Sequence, residues 1–168
     1  DTKGEAVALK KTPHIPYTLT FEAQMPEVSR GAPDFGVPQV WFSVDCVNEH
    51  DRLQFSIRGG PLQTLNVYDY QQRTPPSPDS DSKSHKAFLT QFKRLPKHIQ
   101  SGQRFDIRIE VQSEYSVLFV NDQKMMVYER TMQDNGRVTF GDSWQSNKFR
   151  KIVLSESEPY SINKFKED

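Results

Sequence analysis

Apolar and polar residues alternate with a period of two through much of this chain. Tyr17, Leu19 and Phe21 are separated by Thr18, Thr20 and Glu22, which gives an extended strand one apolar and one polar face. Leu53, Phe55 and Ile57 alternate in the same way with Gln54, Ser56 and Arg58, and Ile107, Ile109 and Val111 with Asp106, Arg108 and Glu110. Strands are also predicted at Val40–Val47, Leu62–Tyr70, Phe88–Phe92, Ser116–Asn121, Lys124–Tyr128, Arg137–Phe140 and Phe149–Ser155. Asn121-Asp122 signals a tight turn between two of them. No segment sustains helical periodicity over three turns. About ten short strands in ~150 residues predict an all-β fold, an antiparallel sandwich or barrel.

The segments between strands divide the chain. Residues 1–13 are lysine-rich and offer little that packs, so they are expected to form a flexible N-terminal tail. Met25 to Pro38 carries three prolines and two glycines and reads as a long loop. Gln71 to Ser84 holds three prolines and four serines and no core-forming residue, which predicts an exposed, mobile loop over 71–84. The expected β-sandwich spans 14–157, followed by a C-terminal tail at 158–168. A length of 168 residues suits one domain with a sizeable core.

Composition narrows the classes of function. Lys plus Arg and Asp plus Glu both total 22, so no whole-molecule field draws the chain to nucleic acid or an anionic membrane. Apolar runs such as Ser116 to Val120 are far short of the ~18–20 residues of a membrane span, and the opening residues lack a signal-peptide core. A soluble protein is expected, with the cytoplasm and secretion without a leader both left open. The single cysteine, Cys46, rules out an internal disulfide and reads as a small core residue. His14, His50, His85 and His98 are too scattered for a metal site, so neither metal nor other cofactor is expected. His50, Asp51 and Asp45 suggest a base and its orienter, but no nucleophile motif accompanies them and no catalytic residue is assigned.

Charge is nonetheless segregated locally. Between Lys83 and Phe105 stand six Lys or Arg residues, with His85 and His98 and no Asp or Glu. Lys86, Arg94 and Lys97 read either as a basic rim for an anionic ligand or as a strand edge guarded against pairing.

The order of features from about Pro16 to Ser155 resembles the galectin carbohydrate-recognition domain. Four stretches carry the resemblance. They are Pro16-Tyr17-Thr18-Leu19; Trp41 to Cys46 followed by Asp51 to Arg58; Leu95-Pro96, Gly102, Arg104 to Val111 and Val117 to Asn121; and Gly141-Asp142. The resemblance implies a jelly roll of two antiparallel sheets with the ligand on the concave one. It also implies a sugar site built from a His-x-Asn-x-Arg motif, a further Asn and a Trp-x-x-Glu-x-Arg motif. Carried across residue by residue, the first motif falls on Gln54, Ser56 and Arg58, where only the Arg is kept. Asn66 matches the further Asn, and the last motif falls on Phe88, Gln91 and Lys93.

These departures change the chemistry. Phe offers a smaller platform than Trp, and Gln91 removes the carboxylate that orients the Arg through a charge-assisted bond. Neither Gln54 nor Ser56 reproduces the hydrogen bonding of His and Asn. Ordinary β-galactoside binding is therefore expected to be weak or absent. The resulting expectation is a non-enzymatic recognition module with a degenerate galactoside site, working through a protein partner or as a homodimer. The alternative is a lectin of altered specificity for a glycan, anionic glycans included, on the concave sheet.

Overall fold

Strands with one apolar face bury it only by closing on a second such sheet. In the computed structural model, which describes residues 7–11, 13–27, 37–48, 51–71, 88–141 and 148–165, they do so as two antiparallel sheets. The strands are β1 (Val7–Ala8), β2 (Tyr17–Gln24), β3 (Gln39–Asn48), β4 (Asp51–Arg58), β5 (Thr64–Tyr70) and β6 (Phe88–Arg94). They continue with β7 (Arg104–Val111), β8 (Tyr115–Val120), β9 (Gln123–Glu129), β10 (Arg137–Phe140) and β11 (Lys148–Glu156), and a short 3-10 turn follows at Ile162–Phe165. One sheet has six strands in the order β1-β10-β3-β4-β5-β6, and the other has five in the order β11-β2-β7-β8-β9. The predicted all-β sandwich is thus the observed fold.

The core is built from the alternating residues that the sequence marks. Leu19 and Phe21 of β2 and Ile107 and Ile109 of β7 meet Phe42 of β3, Phe55 and Ile57 of β4 and Leu65 of β5. Phe21 ties the layers together, its ring edge-on to Phe42 and to Phe140, each at 5.1 Å between centroids. Asn121 and Asp122, at φ 49° and 60°, form the β8–β9 turn, as a two-residue hairpin with both centres left-handed requires.

Three departures from the sequence reading have local causes. Strand β5 begins at Thr64, because the Gln63 side chain bonds Gly60 O at 2.8 Å and the backbone of Ile99, which holds 60–63 as a turn. Val7 and Ala8, inside the expected tail, pair with Phe140 and Thr139, and Leu9 packs against the core. At the other end, Tyr160, Ile162 and Phe165 cover Tyr115, Val117 and Phe119 on the outer face of the five-stranded sheet. Apolar residues two and three apart are enough to fasten an end that its charged neighbours make look like a tail. Of the expected loop at 71–84, only Gln71 lies within the described residues.

A buried ionic junction closes one end of the sandwich. Arg130, which follows β9, donates through Nε to Asp45 at 3.0 Å, through Nη2 to Asp51 at 2.6 Å and through Nη1 to Asp69. Its side chain is 5% exposed. Gln133 N donates to Asp45 at 2.7 Å and Tyr128 Oη to Asp69 at 2.9 Å, which satisfies the carboxylates further. Asp45 and Asp51, considered above beside His50, therefore serve a structural cation, and His50 lies outside the described residues. Burial raises the Asp45 carboxyl above its ordinary value despite the guanidinium. Cys46 is half-buried rather than a core residue, and burial pushes its thiol up, away from reactive thiolate character.

Replacing Arg130 by Met is expected to destabilise the chain by about 3–5 kcal/mol, since it leaves buried carboxylates without a counter-charge. Urea denaturation checks this. The folded Asp45 carboxyl already sits above its unfolded value, and losing the cation raises it further. A group of that kind contributes stability at low pH and loses it as pH rises through the folded pKa, so the deficit of the variant should grow with pH across the carboxylate range.

Candidate functional site

Core parity in β3, β4 and β5 dictates what the opposite face of the six-stranded sheet carries. With Phe42, Phe55 and Leu65 inward, Trp41, Ser56 and Asn66 are turned outward. These three oppose one another directly across the strands, and Phe92 of β6 completes the row. Three inter-strand spacings make the row roughly 14 Å long. An aromatic residue stands at each end. Between them lie a hydroxyl and an amide that are 2% and 5% exposed, while Phe92 is 64% exposed.

Parallel rows flank it. On one side Gln39, Arg58, Thr64 and Arg94 are mutually opposed, and on the other Ser43, Gln54 and Tyr68. Tyr68 Oη accepts from Arg58 Nη2 at 3.0 Å and from Asn66 Nδ2 at 3.4 Å. Ser56 Oγ donates to Gln39 Oε1 at 3.3 Å. Arg52 lies over the Tyr70 ring at 4.5 Å and within 6.0 Å of the Trp41 ring centroid. The Trp41 indole covers Gly141, where a Cβ atom would fall 1.8 Å from the ring. Glycine at 141 is what lets the indole lie down on the sheet.

The structure brings Gln54, Ser56, Arg58 and Asn66 together, as the family resemblance implies. It separates the β6 residues from them. Gln91 is opposite Val67 and Lys93 is opposite Leu65, which face the core, so these two stand off the outward rows, where β6 places Phe92 and Arg94. The backbone of Phe88 is opposite Asp69, likewise off the row, and its side chain lies outside the described residues. A bulge between Val67 and Tyr68 shifts the pairing, and a slip of one residue in a strand exchanges its two faces. Of the expected basic rim, Arg94 is on the face, Lys97 is exposed in the bend after β6, and Lys86 lies outside the described residues.

Sequence reasoning missed Trp41, Tyr68 and Phe92 as members of this face. Parity alone marks the first two, because they lie one residue from Phe42 and Val67. Phe92 required the register of β6. Elsewhere, a surface cavity of about 440 Å³ is lined by Glu114, Tyr115, Glu129, Arg130, Thr131 and Ile162. Glu114 there is held by Thr131 Oγ1 at 2.8 Å, and Arg130 is committed to the junction. Among the described residues no group of His, Cys, Asp and Glu is placed to hold a metal, and no helix is long and apolar enough to cross a membrane.

No family model matches the chain, and no curated protein matches it. Solved structures do. The carbohydrate binding module CBM66 from Bacillus subtilis superposes with a TM-score of 0.69 at 6% identity, covering 93% of this chain and 84% of that one. Sheep galectin-11, in complex with glycerol, gives 0.61 at 11% identity, covering 90% and 97%. The fructosyltransferase from A. japonicus gives 0.61 at 17% identity over 92% of this chain but only 24% of the enzyme. The chain therefore has a galectin-like fold, a two-sheet β-sandwich.

Gly141→Ala is expected to drive Trp41 off the sheet at a cost of about 1–3 kcal/mol. In a double-mutant cycle read by urea denaturation, Gly141→Ala should cost little once Trp41→Ala has removed the indole.

Proposed function

We propose that this chain is a non-enzymatic glycan-recognition module that presents the outer face of its six-stranded sheet to sugar. The observation that carries this reading is the row Trp41, Ser56, Asn66 and Phe92. Aromatic rings at the two ends offer apolar surface to the C–H faces of sugar rings, and the half-buried Gln54, Arg58, Thr64 and Tyr68 beside the row offer hydrogen bonds to sugar hydroxyls, while the buried Ser56 and Asn66 hold Gln39 and Tyr68 in place. The named ligand-binding folds among the structural neighbours support the reading, as does the part of the galectin pattern kept at Arg58 and Asn66. The changes at Gln54 and Ser56 turn the site away from ordinary β-galactosides. A second reading rests on Phe92, an exposed aromatic on the edge strand β6. There the degenerate site serves contact with a protein partner or a second copy of this chain.

A glycan array followed by titration calorimetry tests the choice. Arg58→Ala and Phe92→Ala are each expected to weaken the strongest glycan at least tenfold, about 1.4 kcal/mol, with the circular dichroism of the fold unchanged. A blank array from the folded chain overturns the glycan reading and leaves the protein-contact reading in its place.

A further inference from the structure

On the reading that this face binds glycan, we infer that its ligand is acidic, a saccharide carrying a sulfate ester or carboxylate gripped by Arg58 and Arg94. Formal charges cancel over the whole chain but are unevenly placed. Among the described residues, the outer rows of β3, β4, β5 and β6 carry Arg52, Arg58 and Arg94 and no Asp or Glu.

Five acids of the sandwich are engaged elsewhere. Asp45, Asp51 and Asp69 surround Arg130, Glu22 pairs with Arg150, Arg104 and Lys151, and Glu110 meets Arg108 and Tyr160. The face arginines have no such partners among the described residues. Arg58 gives a hydrogen bond to a neutral phenol, Tyr68, and its Nε is buried with no acceptor. The Arg58 guanidinium thus has no counter-charge among the described residues, and an oxyanion supplies one.

Geometry makes the two arginines act together. Arg58 and Arg94 stand in one row with Thr64 between them, about 10 Å apart along the sheet, a gap that two long side chains can close around one anionic group. Guanidinium groups bind sulfate-like and carboxylate oxygens through paired, charge-assisted hydrogen bonds, roughly twice as strong as neutral ones. Phe92, two residues before Arg94 on the same face, supplies a platform for the sugar ring that carries the charge. The recognition element is thus a cation pair beside an aromatic row.

The test uses the full chain and matched saccharides: lactose, 3′-sulfolactose, 3′-sialyllactose, and a chondroitin sulfate tetrasaccharide beside its desulfated, carboxyl-reduced form. A polyglutamate peptide is the control for charge alone. Array and calorimetry should show at least tenfold tighter binding of an acidic sugar than of its neutral counterpart. Whether the sulfated or the carboxylated members dominate identifies the anion.

Arg58→Gln and Arg94→Gln should each bring the acidic sugar down to the neutral level, whereas Lys97→Gln should not. Arg94 is exposed, so its variant stays informative even if Arg58→Gln perturbs folding. Equal binding of neutral and acidic sugars, both weakened by Phe92→Ala, overturns the acidic specificity and leaves the glycan reading standing. Binding of no sugar by the folded chain overturns that reading as well. Polyglutamate binding as tight as the acidic sugars, or a preference that survives loss of both arginines, also overturns the inference.

Discussion

One guanidinium holds the end of this sandwich shut. Arg130 leaves β9 of the five-stranded sheet and reaches carboxylates on β3, β4 and β5 of the six-stranded one, so it bridges the two layers where apolar packing gives out. A charge so deeply buried is tolerable only when fully paired, and the additional bonds from Gln133 and Tyr128 complete the pairing. The junction also fixes the backbone. Asp45 sits at φ 52°, and Gly136 lies so close that a Cβ atom there would come within 2.5 Å of the Asp45 carboxylate. The strands that carry the candidate binding face are the ones it gathers.

That face follows from the core at no separate cost in sequence. Each inward Phe, Ile or Leu on β3, β4 and β5 dictates an outward neighbour, and register lines those neighbours up in rows. Engagement of the Asp residues by Arg130 has a second effect, since it removes acids from competition for the arginines of the outer face. Among the described residues, the outer rows of β3 to β6 in this formally neutral chain thereby carry arginines without acids. Charge balance summed over a sequence says little about the field at one face.

Legibility of the chain varied with the strength of local pattern. Strands such as Leu53 to Arg58 and Arg104 to Val111 were readable because strict alternation admits one interpretation. Asn121-Asp122 was readable because its turn needs residues that tolerate positive φ. Gln54, Ser56, Arg58 and Asn66 were found as a set through family resemblance, and strand parity places them on one face. On β6 the outward rows take Phe92 and Arg94 rather than the neighbouring Gln91 and Lys93. Counting from motifs across the Pro/Ser-rich stretch could not register a bulge at Val67/Tyr68. Val7–Ala8 and the Tyr160 to Phe165 segment were hidden for a different reason: short apolar pieces among charges gain order only from the surface that receives them.

The amino-acid sequence by itself determined the class of fold and which residues face inward, because burial of alternate side chains is a local property of an extended strand. It also determined the chemistry available on the outward face: arginines, amides, hydroxyls and aromatics. Only the tertiary structure decided which of these stand together. Opposition across strands depends on register, register depends on bulges and turns, and the Arg130 junction joins residues up to 88 positions apart. Phe92 and Arg94 stand in the outward rows, and Gln91 and Lys93 do not, because β6 pairs Phe92 with Asn66 and Arg94 with Thr64.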